Sequence, residues 1–282
     1  MNSYINIIVF IVITIFYYIA LKPSITYNIL SSDTMLPQYY KNSLLYLAVY
    51  MLLAILTQFV LNAYTITNKC GGSIPQNMGV AGLMTLIPWV FIFGGMIVIL
   101  IAFPGFKSAF SDVIGYYFVA NVASKLLDEL LVNAQVYKEI ETASGGNTEK
   151  LEALQATASL VTKLTGNMSL LINKIVPSNF VQFWDLLKPL MKEQYKDGGD
   201  GVNSMRENLL KLASVRDNIG EAMWYIYTGI ILISIVQFNL ASRGCVSSLA
   251  TLQANYAKFQ QGEDEALAAA ATAPTTVYTL TN

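Results

Sequence analysis

The chain is expected to be all-α and polytopic, with about four transmembrane helices and a helical bundle outside the membrane between the third and fourth spans. Three observations lead there. Hydrophobic residues make up 54% of the 282 residues and charged ones only 12%, where soluble domains carry about 25% charged; the mean hydropathy is +0.48. Four stretches lack any charged residue: 1–21, 42–68, 70–106 and 222–242. Each can supply the roughly 20 apolar residues that cross about 30 Å of hydrocarbon. Finally, residues 107–221 hold 26 of the 35 charges, as 12 Lys/Arg and 14 Asp/Glu.

The same composition excludes much chemistry. With no histidine, imidazole triads, His metal sites and imidazole acid–base catalysis are absent. Two cysteines cannot build a four-cysteine zinc site. A net charge of −1 offers no basic field to nucleic acid. No GxxxxGK[ST], GxGxxG or GxSxG occurs, so neither a phosphate cradle nor a hydrolase elbow is expected. The expectation is a non-enzyme with no cofactor and no metal.

The first span is placed at Tyr4–Leu21. It lacks the basic start and small-x-small site of a secretory signal, so an uncleaved helix is expected. The second and third spans are placed at Leu44–Tyr64 and Leu83–Phe106, with a loop over 65–82, and the fourth at Ala222–Leu240. Aromatic residues cluster at these ends as an interfacial belt does: Tyr4, Tyr17, Tyr64, Trp89 and Trp224 are the expected anchors. Buried packing is the alternative for any one of them. Four spans put both termini and the 65–82 loop on one side, and 22–43 with 107–221 on the other. Near the span ends the second side carries seven Lys/Arg and the first three, which places 107–221 in the cytosol.

Within 107–221, Phe103-Pro104-Gly105-Phe106 ends the third helix. Asp112 is expected to cap a helix reaching about Glu141, striped by Tyr116, Ala123, Leu127, Leu130 and Tyr137. SGGN (144–147) makes a turn. A second helix carries Leu151, Leu154, Val161, Leu164, Met168, Leu171 and Ile175 on one face and breaks at Pro177. A third, shorter helix is expected to kink at Pro189, and DGGDG (197–201) to turn the chain. Ser204 and Glu207 have the spacing of a capping box. From there a helix free of proline runs to Leu240, about 54 Å at ~1.5 Å per residue, presenting Met205, Leu209, Leu212 and Ile219 on one face. Gly220 is its expected bend. Residues 244–282 form a C-terminal region: a helix from Val246 to about Gln260, then TTVYTLTN. In that tail Thr276, Val277, Tyr278 and Leu280 could add to a neighbouring sheet edge; disorder is the alternative.

Gln58, Gln237 and Asn239 are expected to hydrogen-bond between helices. Gly94 and Gly95 permit close helix contact. Cys70 and Cys245 both fall just past a span end, on the same side. An oxidising compartment there would join them in a disulfide; two separate thiols are the alternative. Asp197 and Asp200 lack the spacing of a calcium loop. Asn167-Met168-Ser169 forms a glycosylation sequon on the cytosolic side, where it would not be used.

The segment TLIPWVFIFGGMIVILIAFPGFKSAFSDVIGYYFVAN (85–121) resembles membrane-embedded minor capsid and virion membrane proteins of nucleocytoplasmic large DNA viruses. The likeness lies in its Pro-Trp entry, its uncharged span and its FPG-aromatic-Lys-Ser exit into an amphipathic helix. It implies a structural role in the internal membrane of a virus particle. Lipid, capsid or other virion proteins and further copies of the chain would be the partners. The contacts it implies run through Phe103, Pro104, Gly105 and Phe106 and through the tail. The competing reading is a channel-like or pore-forming oligomer; a cellular membrane scaffold is a third.

Overall fold

The computed structural model describes residues 3–131, 168–188, 191–195, 201–245 and 249–272. Four of its helical stretches are long and apolar enough to cross a membrane: Tyr4–Leu21, Met35–Cys70, Ile74–Ala102 and Val202–Ser242. The first is α1 (Ser3–Phe16) closed by a π-turn at Tyr17–Leu21. A short α2 (Tyr27–Leu30) leads to α3 (Met35–Cys70). Next come α4 (Ile74–Pro88), a π-turn at Trp89–Phe93 and α5 (Gly94–Ala102), which together form the third span.

The 65–82 loop expected between the second and third spans does not exist. Helix α3 continues to Cys70 and α4 begins at Ile74, leaving a turn of three residues. Gly71 and Gly72 make it possible, with φ of 73° and 81° where a side chain would be strained. The Ser73 backbone N–H then donates to Gln76 Oε1 at 2.9 Å, satisfying one orphan amide of the new helix.

This tight turn moves Trp89 well inside the third span, and the structure corrects its assignment as an interface anchor. Trp89 is fully buried, with its ring 5.3 Å from Phe10 and 5.1 Å from Phe93. Tyr17 is corrected in the same way: it is buried and stacks on Tyr50 at 4.6 Å. Both belong to a membrane core that also contains Phe10, Phe93, Tyr225 and Leu232. Tyr4 and Tyr64 do face outward.

Beyond Ala102 a 3₁₀ turn (Pro104–Lys107), α6 (Ser108–Phe110) and a π-turn (Ser111–Gly115) lead into α7 (Tyr116–Leu130). Asp112 sits inside the π-turn instead of capping a helix, and α7 stops at Leu130, short of Glu141. There Leu131 turns extended and pairs with Met191, while Lys192 N–H donates to Leu130 O at 3.0 Å. The expected turn at 144–147, most of the second stripe (Leu151 to Leu164), Pro189, Asp197 and Asp200 lie outside the described residues. α8 (Met168–Lys174) ends before Pro177 as expected, and α9 (Phe180–Leu187) follows.

α10 runs unbroken from Val202 to Ser242. Its 41 residues span about 60 Å at ~1.5 Å each. Since Gly201 occupies the cap, Ser204 lies within the first turn and no Ser204–Glu207 box forms. Glu207 instead accepts the Tyr27 backbone N–H at 3.0 Å. The extramembrane core joins Leu127, Leu130, Ile172, Trp184, Leu209 and Ala213. α11 (Leu249–Thr272) extends well past Gln260: only Gly262 opposes it, and the alanine run favours helix. Thr276, Val277, Tyr278 and Leu280 lie outside the described residues.

Candidate functional site at the membrane junction

Where α10 enters the membrane, four charged side chains from three separate chain segments meet. Lys22 directly follows the first span, Lys107 follows the third, and Asp217 and Glu221 lie one turn apart on α10. Lys22 Nζ reaches Glu221 Oε1 at 2.8 Å, and Lys107 Nζ reaches Glu221 Oε2 at 2.6 Å. Lys107 also pairs with Asp217 at 3.4 Å. Tyr18 donates its hydroxyl to Glu221 Oε1 at 3.0 Å. The Glu221 side chain is 8% exposed, and those of Lys22 and Lys107 12% and 18%.

Charges this dry are costly unless paired and hydrogen-bonded. Here each carboxylate oxygen of Glu221 has an ammonium partner. Burial opposes the Lys107 charge, but the Glu221 and Asp217 carboxylates outweigh it and hold its pKa up to about 12. That ammonium is therefore charged at every physiological pH.

The backbone approaches closely at the same level. A Cβ on Gly220 would meet Ser111 N at 2.8 Å and Lys107 O at 2.9 Å; one on Gly115 would collide with Arg216 O. Gly220 is thus a crossing point, and the helix continues through it without a break. Trp224 seals the rim. Its Nε1 donates to Phe106 O at 2.9 Å, and its ring lies 5.3 Å from Phe106 and 4.9 Å from Phe110. The predicted elbow therefore docks on α10 through Phe106, yet Phe103 and Phe106 remain 64% and 49% exposed. Farther out, buried Arg216 donates through Nη1 to Ile172 O and Asn173 Oδ1, tying α8 to α10. Arg206 stacks on the Tyr27 ring at 3.5 Å.

Within the membrane region a polar network links all four spans. Asn62 Oδ1 accepts from Asn6 Nδ2 at 3.2 Å and from Gln237 Nε2 at 2.7 Å, and Asn62 Nδ2 donates to Thr85 Oγ1 at 2.9 Å. Gln58 Nε2 donates to Asn6 O at 3.0 Å. Gln58 and Gln237 thus bridge helices as expected, whereas Asn239 is exposed. Gly94 lies against Met51, and Gly95 faces open space.

At the opposite end Cys70 and Cys245 form a disulfide with Cα atoms 5.3 Å apart. The neighbouring Lys69 Nζ donates to Leu240 O at 3.0 Å, Ala241 O at 2.6 Å and Arg243 O at 2.7 Å. A cation there satisfies carbonyls that the end of α10 leaves open.

Sequence reasoning missed the junction carboxylates and the Asn6–Asn62–Thr85 set. Its available signal was that Lys22, Lys107 and Glu221 each border a charge-free stretch. Among the described residues no cluster of three or more His, Cys, Asp or Glu could hold a metal ion. No protein-family model, curated protein or solved structure matches the chain.

Proposed function

We propose that this protein is a non-enzymatic structural component that couples a lipid bilayer to protein partners on the 107–221 side. The membrane proposed is the internal membrane of a large DNA virus particle, and the partners are capsid or other virion proteins. One observation carries the mechanical part: α10 passes without interruption from the extramembrane core to the far end of the membrane region. Where it enters, buried ion pairs fasten it to the first and third spans. A force on the extramembrane helices would then act on the whole four-span bundle instead of one isolated helix. The exposed Phe103 and Phe106 at the elbow offer apolar contact at the level where a partner would approach the membrane. The viral assignment rests on the resemblance of residues 85–121.

The test is the protein inventory of purified, detergent-stripped particles. Recovery in fixed stoichiometry with the capsid protein is the expected result, and absence from the particles overturns the viral assignment. The channel reading predicts something different. The amide groups of Gln58, Asn62 and Gln237 donate to Asn6 O, Thr85 Oγ1 and Asn62 Oδ1, so the reconstituted chain is expected to pass no more ions than empty vesicles. Flux that falls on replacing Gln58 or Gln237 would establish the channel instead.

A further inference from the structure

We propose that the Cys70–Cys245 bond is an exchangeable tether, formed and opened by a thiol–disulfide oxidoreductase in the compartment opposite the 107–221 domain. Three observations carry this. First, the bond is accessible: Cys245 and its neighbours Arg243 and Gly244 are exposed, and Cys70 is half-buried. A cavity of about 120 Å³ opens beside it, lined among others by Ile66, Lys69, Asn77 and Arg243. Exchange requires a thiolate to reach one sulfur in line with the other, so access of this kind is a precondition.

Second, the surroundings favour the chemistry. Lys69 and Arg243 line the same cavity as the two cysteines, and cations near a thiol stabilise its thiolate form.

Third, the bond and the Lys69 clamp are arranged so that one can open without the other. Lys69 holds the last carbonyls of α10 through hydrogen bonds that need no disulfide. The disulfide fixes Cys245, the point from which the chain continues to α11. From Tyr256 to Leu267 every residue of α11 is exposed, and the disulfide fixes the chain four residues before this helix begins. Opening the bond would free α11 and leave the bundle assembled.

The step balances as a two-electron exchange. On closing, the Cys70 and Cys245 thiols lose two electrons and two protons, and the disulfide of the oxidoreductase becomes a dithiol. Opening is the reverse, with a dithiol attacking one sulfur through a mixed disulfide. The bond also bears on sidedness. It needs an oxidising or enzymatically oxidised compartment, and the Lys/Arg distribution independently assigns 107–221 to the cytosolic side. Both place Cys70 and Cys245 away from the cytosol.

The experiment uses the full chain in its native membrane, with free thiols trapped by alkylation before lysis. Trypsin cuts after Lys69, Lys107, Arg243 and Lys258, so the bond joins peptide 70–107 to peptide 244–258. That linked pair is expected in the untreated sample. It should be lost when intact membranes meet a thioredoxin-type dithiol protein on the Cys70 side, but not on the other. In the reconstituted chain, a nitroxide on a ketone-bearing residue at position 261 should gain mobility on opening, while helical content and oligomeric state stay unchanged. Both thiols alkylated in the untreated sample would overturn the proposal. So would a linked pair that no dithiol protein opens without denaturant, since the bond would then be a static cross-link. The double variant Cys70→Ser/Cys245→Ser should show the mobile label from the outset; an immobile label would equally overturn the tether.

Discussion

The two ends of the four-span bundle are fastened by different chemistry. On the side of 107–221 the fastening is ionic: Glu221 and Asp217 on α10 hold Lys22 and Lys107 from two other chain segments. On the far side it is a covalent bond beside one lysine that caps α10 through backbone carbonyls. The ionic end is dry, closely packed and continuous with the extramembrane core. The covalent end is exposed and stands beside a cavity. The contrast suggests a division of labour: the first end is built to be permanent, the second to be opened.

The largest effect is expected at the ionic end. Glu221→Gln removes the negative charge shared by two buried ammonium groups: Lys22 loses its carboxylate partner and Lys107 keeps only Asp217. Losing one partner of a buried pair costs roughly 3–5 kcal/mol. Since a kcal/mol moves Tm by roughly 2–4 °C in a chain approaching this size, a fall of about 10 °C is expected in detergent. Combining it with Lys22→Met should recover part of the loss, because one stranded charge disappears with its partner. An unchanged Tm for Glu221→Gln would mean that water screens the cluster, and the contrast between the ends would collapse. Because the pKa of Lys107 is raised from 10.5 to about 12, its contribution is complete below about 10.5 and lost only as pH rises towards 12. Titration across the neutral range should therefore not loosen the junction through Lys107.

The disulfide comes next. Its loop of 175 residues would stabilise a soluble chain by about 5 kcal/mol in the chain-entropy account. In a bilayer the unfolded reference keeps its helices inserted, so less entropy is at stake. Cys70→Ser is expected to lower Tm by less than Glu221→Gln while leaving helical content intact. A larger fall than at Glu221 would reverse the ranking of the two ends.

Much of this contrast was legible in the sequence, but unevenly. The four spans, the break at Pro177 and the long α10 were readable from charge, proline and position, while Cys70 and Cys245 on one side left a disulfide and two separate thiols both open. The ionic cluster was not, because charges at span borders look like ordinary boundaries until the fold shows which of them meet. Trp89 and Tyr17 misled for a related reason. An aromatic near an estimated span end reads as an anchor, and a tight turn at Gly71–Gly72 shifted the third span enough to bury Trp89. The close approach at Gly220 was not readable from sequence, because glycine permits both bending and close contact and only the neighbours Ser111 and Lys107 reveal the contact.

Gly220→Val tests that close approach directly. The added side chain would press on Ser111 N and Lys107 O, which are backbone atoms and cannot rotate away. Overpacking of this kind costs typically about 1–3 kcal/mol. Displacing Lys107 should also weaken its pairing with Glu221, so the effects of Gly220→Val and Glu221→Gln should be less than additive. Full additivity would show that the glycine crossing and the ionic cluster are independent devices.

The smallest effect is expected between the two ends, at the polar network around Asn62. Thr85→Val keeps a side chain of similar shape but deletes the hydroxyl that accepts from Asn62 Nδ2. Hydrogen bonds between membrane helices contribute about 0.6 kcal/mol on average, because the separated helices find other partners. A Tm shift of about 1–3 °C is therefore expected, well below that of Glu221→Gln. Asn62 would still accept from Asn6 and Gln237, so the four spans stay linked after Thr85 is lost. If Thr85→Val instead proved as damaging as Glu221→Gln, the network would be acting as one cooperative unit. The bundle would then be held chiefly at its middle, and the contrast between its two ends would describe adjustment of the fold instead of its foundation.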